Sequence, residues 1–123
     1  MDKIGKITLM SKITTHVLDT AKGKPAQGVA IVLEHKDAQK GWTEVGHGAT
    51  NSDGRCADLV PADWTNKPGM YRLTFETSKY FASIDTSGFY PYVKIVFEIV
   101  NADEHYHVPL LLSPYGYSTY RGS

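Results

Sequence analysis

Val93-Lys94-Ile95-Val96-Phe97-Glu98-Ile99-Val100 is the longest and most β-branched stretch of the chain, and its period decides the fold class. Val93, Ile95, Phe97 and Ile99 fall on one side and Lys94, Val96, Glu98 and Val100 on the other. That is the alternation of an extended strand, not the roughly 3.6-residue repeat of a helix. β-branched and aromatic side chains suit the pleated geometry, so this strand is expected at the centre of a sheet.

The same period recurs outward from it. Tyr71, Leu73 and Phe75 alternate with Arg72, Thr74 and Glu76 after the turn signal Lys67-Pro68-Gly69, and Val29, Ile31 and Leu33 alternate with Ala30, Val32 and Glu34. Further strands are predicted over Lys12 to Leu18, Trp42 to Thr50, Tyr106 to Leu112 and Gly116 to Tyr120. Between them lie Gly23-Lys24-Pro25, Asn51-Ser52-Asp53-Gly54, Ser87-Gly88 and Asn101-Ala102-Asp103-Glu104, all of turn-forming composition. Short strands punctuated in this way predict an all-β, antiparallel sandwich. One segment breaks the pattern: Thr77-Ser78 offers capping hydroxyls and Tyr80, Phe81 and Ile84 follow at helical spacing, which predicts one short helix over about 79–85.

Composition bounds the function. A chain of 123 residues fits one domain, read as residues 12–123 behind a flexible leader of residues 1–11. Thirteen basic and thirteen acidic residues cancel, so no bulk field recruits nucleic acid. No apolar run approaches the roughly eighteen residues of a membrane span, and Asp2, Lys3, Lys6 and Thr8 break any signal-like core, so the chain reads as cytoplasmic or already processed. The single cysteine, Cys56, cannot close a disulfide within its own chain and reads as a strand residue, not a nucleophile.

Histidine is the first place to look for chemistry, because it titrates near neutral pH. If Ile13, Thr15 and Val17 face inward, His16 lies on the outer face of its strand. His105 and His107 project from one face about 7 Å apart if their strand is regular. A metal would need a third ligand, and none sits at a telling spacing. The alternative is one histidine as base beside a bystander. The following Val108-Pro109-Leu110-Leu111-Leu112 is apolar on both faces, which suggests packing against another subunit. Arg55 closes a tight turn and projects a guanidinium fork suited to a carbonyl or an anionic ring. Tyr120-Arg121-Gly122-Ser123 gathers a phenol, a second guanidinium, a hydroxyl and a carboxylate.

Ile13-Thr14-Thr15-His16-Val17-Leu18-Asp19, Thr50-Asn51-Ser52-Asp53-Gly54-Arg55, Phe89-Tyr90-Pro91-Tyr92, His105-Tyr106-His107 with the Val108 to Pro114 run, and Tyr120-Arg121-Gly122-Ser123 together resemble the 5-hydroxyisourate hydrolases of the transthyretin-like family. The terminal tetrapeptide is the most specific of these, since the hormone carrier of that fold lacks it. The resemblance implies a sandwich of two four-stranded antiparallel sheets with one short helix. It implies hydrolysis of 5-hydroxyisourate to 2-oxo-4-hydroxy-4-carboxy-5-ureidoimidazoline in urate degradation, without cofactor or metal. Matching motifs assign catalytic roles to His16, Arg55, His107 and Ser123, and substrate binding to Tyr120, Arg121 and Gly122. They also imply a homotetramer with sites where two dimers meet, and compartments that include cytosol, periplasm and peroxisome. Two other readings stand beside this one: a carrier of an apolar aromatic ligand in the same cleft, and a β-sandwich interaction module without chemistry.

Overall fold

Ile13, Thr15, Val17 and Asp19 are buried while Thr14, His16 and Leu18 lie partly open, so the first strand sets one face against the core and offers the other. This is β1 (Ile13–Asp19) of a computed structural model that describes residues 12–123; the leader predicted over residues 1–11 lies outside the described residues. The chain continues through β2 (Lys24–Pro25), β3 (Ala30–Asp37), β4 (Gly41–Ala49), β5 (Gly69–Phe75), helix α1 (Thr77–Ser83), β6 (Val93–Ile99), β7 (Tyr106–Ser113) and β8 (Gly116–Thr119). Two four-stranded sheets result, in the orders β2-β1-β7-β8 and β4-β3-β5-β6. Val17 and Leu110 of the first sheet and Ile31, Leu33, Leu73, Phe75, Val93 and Ile99 of the second are almost wholly buried between them. No helix among the described residues is long and apolar enough to cross a membrane.

Among the described residues the sandwich of two four-stranded sheets and the single short helix are as the resemblance implied, with four corrections. The sheets are not wholly antiparallel: β1 pairs with β7 in parallel, from Ile13 opposite Tyr106 to Asp19 opposite Leu112. Side-chain alternation is the same for both strand directions, so it could not reveal this. β6 is an edge strand and not a central one, and its outer face leaves Val96 and Val100 open. Lys24-Pro25, read as a turn, forms the two-residue strand β2 against Leu18 and Asp19. The helix spans Thr77–Ser83 rather than 79–85. Its N-cap position is Glu76, with no side-chain cap, and the Thr77 hydroxyl, one residue inside the helix, donates to the Tyr90 carbonyl at 3.3 Å. It stops where Asp85 takes the left-handed conformation, φ 54°.

The entry to β6 is tied to the β7–β8 turn. The Phe89 amide donates to the Pro114 carbonyl at 2.7 Å, and the Tyr90 and Tyr117 rings meet edge-on at 5.3 Å. One edge strand of each sheet, β6 and β8, is thereby linked to the other through these contacts.

The C-terminal end of β1 is anchored to the helix through a buried carboxylate. Asp19 is 1% exposed. Its Oδ2 accepts the Tyr80 hydroxyl at 2.7 Å and its Oδ1 the Lys22 amide at 3.0 Å. A buried acceptor stripped of its partner costs about 1–3 kcal/mol. Tyr80→Phe is accordingly expected to lower stability by about that amount, read as a lower urea midpoint with an unchanged slope; an unmoved midpoint would contradict the anchoring role.

Candidate active site

β1 is the spine of the candidate site, with one group of residues along each edge. On one edge runs the turn that follows β4. Its shape comes from Asn51, whose Oδ1 accepts the amides of Asp53 at 2.9 Å and Arg55 at 3.1 Å, while the Asn51 amide donates to the Arg55 carbonyl at 2.8 Å. Gly54 sits at φ 78°, and any Cβ there would run into the Val17 carbonyl and the His16 ring. With that space clear, the Val17 amide donates to the Gly54 carbonyl at 2.8 Å and His16 bridges to Arg55 across the backbone.

This docking orients His16. Its Nε2 lies 2.7 Å from the Asp53 carbonyl oxygen. A carbonyl only accepts, so Nε2 carries the proton, and Nδ1 of the neutral ring holds the lone pair. Arg55 is exposed, and its guanidinium has no hydrogen bond or ion pair among the described residues. It stands ready to meet an anionic or carbonyl oxygen.

On the other edge lies β7. The parallel register sets Thr14 opposite His107 and His16 opposite Pro109. The Thr14 hydroxyl contacts His107 Nδ1 at 2.8 Å and His105 Nε2 at 2.9 Å, and the two imidazoles stack with centroids 6.2 Å apart. Among the described residues no three His, Cys, Asp or Glu side chains gather as a metal site. Burial holds His107 below the ordinary imidazole value, and the nearby charges of Arg55, His105 and His16 press the same way against the Thr14 contact.

The chain after β8 continues alongside β7. The Thr119 hydroxyl donates to the Pro109 carbonyl at 2.7 Å and the Gly122 amide to the His107 carbonyl at 2.8 Å. Gly122 lies flat on the His107 ring: an added Cβ would stand 2.5 Å from its Cδ2. Arg121 turns away, donating to Glu104 Oε1 at 3.0 Å and the His105 carbonyl at 3.2 Å, with its guanidinium 4.3 Å from the Tyr106 ring centre. Tyr120 and Ser123 are exposed and make no hydrogen bond among the described residues.

Of the residues singled out in the sequence, the structure thus joins His16 to Arg55 and His107 to Gly122, and brings the charges of Arg55 and His16 to bear on His107. Arg121 is instead bonded to Glu104 and the His105 carbonyl, and the side chains of Tyr120 and Ser123 make no hydrogen bond among the described residues. Cys56, expected in a strand, lies in the loop just past Arg55, packed against Gly48; burial pushes its thiol up, away from nucleophilic reactivity. Two partners escaped the sequence reading, Thr14 and the Asp53 carbonyl. Alternation along β1 does put Thr14 on the same face as His16, but its meeting with His107 spans 93 positions. A separate concavity of about 380 Å³ is lined by Lys22, Lys24, Pro25, Gln27, Ser52, Tyr80 and Ile84, none of them a candidate residue.

A family profile described as the HIUase/Transthyretin family matches residues 13–122. The chain belongs to this family. Among HIUase/Transthyretin proteins it is 48% identical to the 5-hydroxyisourate hydrolase of Mus musculus over 117 residues, covering 94% of this chain and 98% of the mouse protein. Its fold matches the solved Klebsiella pneumoniae 5-hydroxyisourate hydrolase with TM-score 0.78 and 36% identity, over 93% of this chain and all of that one. It also matches sea bream transthyretin, solved in complex with thyroxine, with TM-score 0.84 and 31% identity, over 91% of this chain and 95% of that one. The family fold is thus shared by proteins named as hydrolases and by one that holds an aromatic ligand.

The electrostatics of His107 can be tested alone. In an NMR titration His107 is expected to protonate below the ordinary imidazole value of 6.5, and Arg55→Gln, which removes a nearby positive charge, is expected to raise it. A midpoint above 6.5, or one indifferent to Arg55, would contradict the placement of that cation.

Proposed function

We propose that this chain hydrolyses 5-hydroxyisourate to 2-oxo-4-hydroxy-4-carboxy-5-ureidoimidazoline, a step of urate degradation. The observation that carries the reading is a half-buried His107, its proton affinity lowered by burial and by an Arg55 without a hydrogen-bond or ion-pair partner among the described residues, in a chain 48% identical to a protein named for this reaction.

Opening a ring amide with water needs a base for the water proton and a donor for the oxygen that gains charge. His107 takes the proton as the water oxygen bonds to the carbonyl carbon. Arg55 fixes the planar ring and stabilises the oxyanion. The carbon–nitrogen bond of the ring then breaks, and the leaving nitrogen takes the proton back from His107. His16, its proton committed to Asp53, presents a lone pair that steadies the water or accepts from the substrate. Gly122 covers the base, and Tyr120 and Ser123 orient the substrate. Arg121 serves the site indirectly, holding the tail down on Glu104 and Tyr106.

The site is completed in a homotetramer. Arg55, Tyr120 and Ser123 lie open in the single chain, where a small substrate would stay in water. The β6 and β8 edges, with Phe89 at 68% and Val100 at 75% exposure, offer the apolar and hydrogen-bonding surface of a dimer contact. A carrier of an apolar ligand is disfavoured, because two imidazoles and a free guanidinium would be desolvated without compensation.

His107→Ala is expected to slow the decay of 5-hydroxyisourate by about 10²-fold to 10⁴-fold while the protein stays folded; near-normal turnover would remove His107 from the mechanism. Deleting Arg121 to Ser123 is expected to abolish activity and leave the sedimentation of the tetramer unchanged. An active truncated protein would show that the tail has no part in the site.

A further inference from the structure

Thr14 carries one hydroxyl proton and stands within hydrogen-bond reach of two imidazole nitrogens, Nδ1 of His107 at 2.8 Å and Nε2 of His105 at 2.9 Å. A hydroxyl can donate to only one of two such partners, so when both rings are neutral the other must donate to it. Two arrangements satisfy both contacts. In one, His107 Nδ1–H donates to Thr14 and Thr14 donates to His105, which leaves the lone pair of His107 on Nε2. In the other the chain runs backwards, and His107 Nε2 carries a proton.

Several features favour the first. His107 Nε2 has no hydrogen-bond partner among the described residues, so a proton there would find no acceptor among them, whereas a lone pair can stay open. Arg55 adds positive charge near His107, which favours an unprotonated nitrogen over a second proton, and Nε2 is the nitrogen that Thr14 does not engage. His105 is exposed, so water can serve whichever of its nitrogens Thr14 does not use. Its carbonyl is held by Arg121, which is paired with Glu104, and Lys12 pairs with Asp103 two residues before it; Arg55 is the guanidinium near His107.

We propose that Thr14 is a positioning residue of the hydrolytic site, holding His107 in the tautomer whose Nε2 lone pair faces water and linking it to His105 as a proton outlet. The inference rests on His107 being the base. When His107 Nε2 takes the water proton, Nδ1–H passes its proton to the Thr14 oxygen, and the Thr14 hydroxyl proton moves to His105 Nε2. The positive charge then rests on His105, at the solvent boundary. When the leaving nitrogen takes its proton from His107 Nε2, the same two transfers run in reverse and the site is reset. Each step makes and breaks one bond to hydrogen, and no other reactant is required.

The test compares Thr14→Val, which keeps the β-branched shape of a strand residue and loses the hydroxyl, with Thr14→Ser, which keeps it. Long-range proton–nitrogen NMR spectra are expected to show His107 protonated at Nδ1 in the parent and in Thr14→Ser, and shifted to the Nε2–H form in Thr14→Val. For 5-hydroxyisourate decay, kcat is expected to fall about 10-fold to 100-fold in Thr14→Val with KM nearly unchanged, and to recover in Thr14→Ser. A parent His107 protonated at Nε2, or a Thr14→Val protein with unaltered tautomer and kcat, would overturn the proposal. The tautomer reading requires no substrate, so it stands or falls apart from the assigned reaction: the expected tautomers in a parent without hydrolytic activity would leave the positioning intact and sink the function.

Discussion

The parallel pairing of β1 with β7 is the contact on which the rest of the structure depends. It joins residues 13–19 to residues 106–112, partners 93 positions apart in the chain. The junction is reinforced beyond the ladder: the Tyr106 amide donates to the Lys12 carbonyl at 2.7 Å, and the buried Thr15 hydroxyl to the Val108 carbonyl at 2.7 Å. Buried polar groups must be satisfied, so these bonds leave little freedom for the register to slip. A shift of one residue would turn His16 and Thr14 into the core and Val17 out of it. With the register fixed, β1 presents His16 to the Asn51–Arg55 turn on one edge and Thr14 to the two histidines of β7 on the other.

Electrostatics and packing then act in the same direction. A half-buried imidazole close to a guanidinium and two further imidazoles resists protonation. The backbone of Gly122, pressed on the ring, excludes water from one side of it without adding a charge. Zero net charge suits such a site. A site of this kind does not rely on long-range steering; the sandwich instead fixes its imidazoles and guanidinium on strands and a tight turn.

Much of this was legible in the sequence. The outward face of His16 follows from alternation with Ile13, Thr15 and Val17, and the Asn51 to Gly54 turn from its composition. What could not be read depends on which strand meets which. The β-branched run at Val93–Ile99 expresses propensity and carries no information about its place in the sheet, so its edge position was hidden. A two-residue strand at Lys24–Pro25 is too short to show a period. The reversal of Arg121 toward Glu104 and Tyr106, and the meeting of Thr14 with two histidines, exist only once β7 lies beside β1 and β8. Motif similarity named His16, Arg55 and His107 and included Thr14 without a role; the contact of its hydroxyl with both histidines is visible only in the fold.

The most direct measurement is the pH dependence of kcat/KM for 5-hydroxyisourate, generated in place from urate by urate oxidase and corrected for spontaneous decay. A neutral His107 acting as base predicts a rate that is level from neutral pH upward and falls only in acid, with its midpoint below the ordinary imidazole value of 6.5. The sign follows from the chemistry: protonation removes the base, and lowering its proton affinity moves that loss further into acid. Absence of any catalysed decay, or a rate that climbs as the pH falls, would contradict the assignment.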